Sequence, residues 1–228
     1  MIFSDRQEAG RRLAAELVRL DIQRPVVMAL PRGGVPIGFE IAQALSAPLD
    51  VILVRKIGAP DFPELAVGAI VDGGNFEKVI DEDIIATLGV PQAYLDEEIA
   101  RQARENERRH ALYLKGRPIA DVRNATAIVV DDGIATGATM RAALLGIRRR
   151  SPARLILAVP VAPISAIERL RPEVDEIVCL STPAEFYAIG AFYRDFHQVT
   201  DEEVTALLER ASHWERGHTH PDRETTIK

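Results

Sequence analysis

Cysteine is almost missing from this chain: Cys179 stands alone among 228 residues, so no internal disulfide can form and a reducing compartment, the cytoplasm, is the expectation. Neither a signal peptide nor an apolar run of membrane-spanning length is present, which argues against a membrane partner. Charge of one sign is lacking too. The 28 basic and 34 acidic residues leave a net charge of -6, and this offers no general attraction to nucleic acid or an anionic surface. Hydrophobic residues at 47% and charged residues at 27% exclude disordered, collagen-like and coiled-coil classes. What is left is an ordinary globular chain, long enough for one domain with a substantial core.

Short apolar runs recur along it, each followed by turn residues: VVMAL at 26–30, VILV at 51–54, AIVV at 127–130, LILAV at 155–159 and EIVCL at 176–180. None alternates strictly between apolar and polar. Strands buried on both faces read this way, as in a parallel sheet covered by helices. The segments 36–45, 139–150 and 165–173 have helical spacing between those strands, which predicts an α/β open, mainly parallel sheet flanked by helices. A further amphipathic helix is predicted near the start, with Ser4 or Asp5 as N-cap and Leu13, Leu17 and Leu20 on one face. Cys179 closes an apolar run and reads as a buried structural thiol.

Between the second and third runs lie about seventy residues, far more than a normal connection. Their first part is a Pro/Gly-punctuated loop with short strands. Their second, 94–114, is a charged helix in which Glu97 with Arg101 and Glu105 with Arg109 have i,i+4 spacing. Acids alternate with those arginines, so a solvated face is the simpler account than nucleic-acid binding. The cluster Arg148, Arg149 and Arg150 falls in a helix's last turn, where cations complement the dipole. The expected layout is one domain over 1–212, with a flexible-loop region and helical insertion over 57–126, a hood over 160–198 and a disordered tail over 213–228. His218 and His220 in that tail are weak metal-ligand candidates.

The chemistry concentrates in AIVVDDGIATGATMRAALLGI, residues 127–147. A buried strand runs into Asp131 and Asp132, then a small-residue turn, then a helix. Carboxylates at the C-terminal end of a parallel strand sit where open α/β sheets bind ligands. They suit a magnesium ion or a sugar diol, which both want hard oxygen acceptors. The turn Thr136, Gly137, Ala138, Thr139 offers backbone N–H groups, two hydroxyls and a helix N-terminus, a cradle for phosphate. No lysine stands in the turn and no G-x-G-x-x-G occurs, which removes the Walker A and dinucleotide-binding readings. Acids beside a phosphate cradle describe a phosphorylated sugar.

This stretch resembles the phosphoribosyl pyrophosphate (PRPP) motif of the type I phosphoribosyltransferases: apolar residues, two acids, then a small-residue loop ending T-G-x-T, here Val129 to Thr139. ALPRGGVPIG at 29–38 is similar to that family's pyrophosphate loop, and VRKIGAP at 54–60 to the loop after its second strand. EFYAIGAFYRDF at 185–196 is similar to its hood. The resemblance implies an enzyme, a pentosyltransferase of nucleotide salvage using Mg2+, that moves 5-phosphoribosyl from PRPP to a small-molecule acceptor and releases pyrophosphate. It implies that Gly133, Ile134, Ala135, Thr136, Gly137, Ala138 and Thr139 bind PRPP, with the turn 136–139 holding the 5-phosphate. Asp131 and Asp132 would hold the ribose hydroxyls and the metal, directly or through water. Arg32, Gly33, Gly34, Arg55 and Lys56 would meet the pyrophosphate, with Arg32 and Lys56 offsetting its charge. Ala135, Phe186, Tyr187, Ile189 and Asp195 would meet the acceptor, and a mobile loop after Lys56 would exclude water.

The 6-oxopurine branch carries an acid where this chain has Ala135. Alanine there, and the R-K-x-G at 55–58, are similar to adenine phosphoribosyltransferases, whereas the pyrophosphate loop and hood differ from that branch and the helix at 94–114 is unlike either. A PRPP-binding regulator and a transferase to a non-base amine share every PRPP residue and stay open as alternatives. The family is often dimeric, and the insertion helix is the first place to look for an interface.

Overall fold

The computed structural model describes residues 1–217 except 61, 63, 64, 73–75 and 118. Helix α1 (Arg6–Leu17) begins as its sequence directs: the Asp5 side chain accepts the backbone N–H of Glu8, an N-cap that satisfies one orphan donor. Strand β1 (Pro25–Ala29) leads through a tight loop into α2 (Gly34–Leu45), and the chain returns as β2 (Leu49–Val51). Four more elements of the main layer follow the insertion: β6 (Thr126–Val130), α5 (Ala138–Arg149), β7 (Arg154–Val161) and α6 (Ile164–Leu170), with β8 (Glu176–Ser181) beyond. The five strands pair in the order β2-β1-β6-β7-β8, every pair parallel.

The absence of alternation in these strands has a direct cause. Along β1, Val27 and Ala29 pack into a core with α1 and α2, while Val26 and Met28 pack into a second core under α5 and α6. Ile128 and Val130 divide from Ala127 and Val129 in the same way. Both faces are apolar because both are covered. β8 is the edge strand and is only half-buried throughout, so Cys179 is half-buried rather than a core thiol. Burial still pushes its thiol pKa up.

The insertion folds as a second small layer. Directly after β2 the chain leaves the main sheet as β3 (Leu53–Gly58), which pairs antiparallel with β4 (Ala66–Asp72), and β4 with β5 (Phe76–Ile80). Helices α3 (Glu82–Leu88) and α4 (Gln92–Leu114) follow, and Ile57, Val67, Ile70, Val90 and Leu95 form their own apolar cluster. α3 carries no sequence signal as plain as its Asp81 cap, whose side chain accepts from Ile84. On α4 the ion pairs differ from i,i+4 expectation at one site. Arg101 pairs with Glu98, one turn back at i,i+3, because Glu98 is the acid on the packed side; Glu105 does hold Arg109, at 3.1 Å.

The last helix, α7 (Asp201–Gly217), extends past the expected domain end at 212, driven by three acids in its first turn and the buried stripe Val204, Leu208, Ala211. The rest of the expected tail, with His218 and His220, lies outside the described residues. Within the expected hood span, β8 belongs to the main sheet and α6 precedes it; beyond Ser181 the chain forms a strap with a 3-10 turn over Ile189–Phe192. No helix among the described residues is long and apolar enough to cross a membrane.

Candidate active site

The acid pair stands at the C-terminal end of β6, beside the loop that follows β1. The backbone N–H of Leu30 donates to the Val130 carbonyl at 2.9 Å, drawing the two strand ends together. Gly33 is required at this junction: a Cβ there would fall 1.9 Å from Asp132 Oδ2. The loop after β1 therefore lies flat against the acids.

The two acids are held differently. Asp131 Oδ1 accepts the backbone N–H of Asp132 at 2.8 Å. Burial, and the second carboxylate next to it, push its carboxyl well above the usual range. Asp132 is only 8% exposed, and its Oδ2 accepts Nε of Arg6 at 2.9 Å and pairs with Nη2 of Arg6 at 2.8 Å. Burial raises its carboxyl too, opposed by the Arg6 charge. Arg6 escapes a reading of the sequence because it sits in the first turn of a helix 126 positions away; no local pattern marks it.

After the acids the turn packs by Ile134, which is buried and whose N–H donates to the Val161 carbonyl at 3.0 Å. Gly133 is buried against Ile189, where a Cβ would come within 2.6 Å of Cγ2. Gly137 has φ +85, a conformation that favours glycine, and it opens α5. Ala135, Thr136, Ala138 and Thr139 are exposed around it, so the turn is open to solvent. A second residue missed by sequence, Arg169 of α6, donates to the Thr136 carbonyl at 2.9 Å and steadies the turn.

Arg32 is half-buried, with Nη1 4.0 Å from Oδ1 of Asp201, an oxygen that also accepts the Tyr113 hydroxyl at 2.6 Å. Arg55 and Lys56 part company, since neighbours on a strand point to opposite faces. Lys56 lines a cleft of about 580 Å³ together with Thr139 and Arg141 of α5. Arg55 faces α4 and pairs with Glu105 at 2.8 Å, so it is not gathered with Lys56. Neither Asp131 nor Asp132 lines that cleft.

Of the hood candidates only Ile189 touches the acid turn. Phe186 stacks on Phe192 with centroids 5.4 Å apart, Tyr187 is 86% exposed, and Asp195 accepts the N–H of His197 and meets its ring at 3.1 Å. The basic cluster is spent inside the molecule. Arg148 pairs with Asp175, Arg149 with Glu77, and Arg150 donates to the Ala120 carbonyl, ties that pin α5 to its neighbours more specifically than a dipole would.

A parallel sheet carrying an acid pair, a phosphate-type turn and a glycine loop against it defines a phosphoribosyl transferase domain, and the family model of that domain matches residues 4–196. The chain belongs to this family, and its architecture is the type I phosphoribosyltransferase fold. It is 44% identical over 210 residues to "Putative phosphoribosyl transferase Rv0571c" of Mycobacterium tuberculosis H37Rv, and equally to MT0597 of strain CDC 1551; the match covers 92% of this chain. The chain spans about half the length of these curated relatives, 47%. The crystal structure of TT1426 from Thermus thermophilus superposes with a TM-score of 0.81 at 45% identity, covering 92% of this chain and 99% of that one.

Proposed function

We propose that this protein is a magnesium-dependent phosphoribosyltransferase that transfers 5-phosphoribosyl from PRPP to a nucleobase and releases pyrophosphate. The observation that carries the reading is the run from β6 through Asp131, Asp132 and the exposed turn 135–139 into α5, with the Arg32–Gly34 loop flat against it. Displacement at C1 of the ribose builds positive charge on the sugar and negative charge on the leaving group, so catalysis is mainly positioning and charge stabilisation.

In this reading the N–H groups and hydroxyls of Thr136–Thr139 at the start of α5 bind the 5-phosphate. Asp131 accepts from the ribose hydroxyls. Arg32, 4.0 Å from Asp201, and Lys56 oppose the charge of the pyrophosphate. Ile189, against Gly133, forms the acceptor-side wall. Magnesium fits this donor set: it takes hard oxygens, keeps several waters, and uses one or two carboxylates together with substrate phosphates. Asp131 is the carboxylate for it, because the charge of Asp132 is already met by Arg6. Among the described residues no group of three or more His, Cys, Asp or Glu could hold an ion, so substrate oxygens would complete the shell. When bound, the ion neutralises charge on the departing pyrophosphate.

The test is pyrophosphate release from PRPP with magnesium, against a panel of purine and pyrimidine bases and a no-acceptor control, with Asp131→Asn alongside. Base-dependent release that is lost in the variant supports the reading and names the substrate class. PRPP binding without release for any base would replace it with a regulator or a transferase to another amine.

A further inference from the structure

We propose that Arg6 is a positioning residue of the phosphoribosyl site, joining Asp132 and the hood strap 193–197 into one unit. The inference rests on the reading of the site just given. Arg6 stands in the first turn of α1, and its side chain is 8% exposed. One edge of the guanidinium engages Asp132 Oδ2 through Nε at 2.9 Å and Nη2 at 2.8 Å. Its remaining nitrogen, Nη1, donates to the His197 carbonyl at 2.8 Å. The guanidinium carbon lies 3.9 Å from the centre of the Phe196 ring and 6.0 Å from that of Tyr193. Tyr193 closes the circuit by donating its hydroxyl to the Asp132 carbonyl at 2.6 Å.

Three segments thus converge on one cation: the N-terminal helix, the acid that ends β6, and the strap of the hood. The strap is also sewn to the N-terminus, where Arg194 N donates to Phe3 O at 2.8 Å and Asp195 N to Ser4 O at 2.9 Å. A guanidinium suits this task because its planar fork supplies several donors in fixed directions and stacks on an aromatic face. A lysine could match the charge but not the geometry. The consequence for function is a division of labour between the adjacent acids. Asp132 spends one oxygen and its carbonyl on registering the hood to the sheet, which leaves the ligand role to Asp131, a carboxylate with no ion pair of its own among the described residues.

The experiment uses Arg6→Gln, Arg6→Lys, Asp132→Asn and the double variant Arg6→Gln with Asp132→Asn. Two readouts are taken: amide hydrogen exchange of residues 131–133 and 193–197 in the ligand-free protein, and PRPP affinity with magnesium by calorimetry. Arg6→Gln is expected to speed exchange in both segments and to weaken PRPP about tenfold, as losing a charged hydrogen bond would. Arg6→Lys keeps the ion pair, so it restores slow exchange at 131–133 while 193–197 stays fast. On the Asp132→Asn background, Arg6→Gln is expected to weaken PRPP no further. Full additivity of the two substitutions, or unchanged exchange in either segment after Arg6→Gln, overturns the proposal. A wild-type protein that binds no PRPP overturns the functional reading instead, while the exchange data still decide whether Arg6 couples the two segments.

Discussion

The Cα of Gly33 lies against Asp132, so close that a methyl group built on it would come within 1.9 Å of Oδ2 and 2.5 Å of the carboxyl carbon. Gly33→Ala must therefore push the carboxylate off Arg6 or lift the loop from the sheet. The expected cost is about 1–3 kcal/mol of stability, as for other overpacked sites, together with loss of most PRPP affinity. Urea unfolding and calorimetry measure the two; a variant matching wild type in both would show that the loop is not seated here.

Removing Asp132 strands a buried cation. Asp132→Ala is expected to destabilise the protein by about 3–5 kcal/mol, because Arg6 keeps its burial and loses its counter-charge. Adding Arg6→Met to that variant should recover part of the loss. Chemical denaturation of the two proteins checks this, and a double variant no more stable than the single one contradicts it.

The Tyr193 hydroxyl, 2.6 Å from the Asp132 carbonyl in a buried setting, is a cheaper contact to delete. Tyr193→Phe leaves the ring beside Phe3, at 5.5 Å between centroids, and orphans only the carbonyl. About 1–2 kcal/mol of stability should go, read from the shift of the urea midpoint.

His197 gives the strap a pH dependence. Its ring meets Asp195 at 3.1 Å and Glu203 at 3.5 Å, and the hydrogen bond to Asp195 above all holds its pKa above the usual 6.5. The folded chain thus binds this proton more tightly than the unfolded chain. Its contribution is complete below 6.5 and is lost as pH rises through the raised folded value. The ring is largely exposed, so screening limits the effect to about 0.3 kcal/mol. Wild type should exceed His197→Gln by that margin in mildly acidic buffer, with the gap closing in alkaline buffer; thermal melts across pH decide it.

Much of this was legible in the chain. The strands at 26–30, 127–130 and 155–159 declared themselves because both of their faces are buried, and the acid pair with its turn declared itself because strand, carboxylates, small residues and helix are contiguous. Arg55 and Lys56 were misgrouped for a reason also present in the sequence. Their strand runs on to Gly58, and alternation sends one to Glu105 of α4 and the other to the cleft beside Thr139. Arg101 chose Glu98 over Glu97 because burial of the helix face, which spacing alone does not reveal, decides which acid is within reach.

The sequence by itself determined what is local: a sheet buried on both sides, the caps, and an acid pair running through a small-residue turn into a helix. Those features depend on neighbours a few residues apart, whose spacing and side-chain chemistry decide the outcome. Only the tertiary structure decided which acid is bound and by what. The contact of Arg6 with Asp132 spans 126 positions, and that of Arg6 with the His197 carbonyl spans 191. No periodicity encodes such a meeting; it follows from α1 packing on α2 while the strap folds back onto Phe3 and Ser4 ahead of α1, and burial there makes a single unpaired charge costly enough to require its partner.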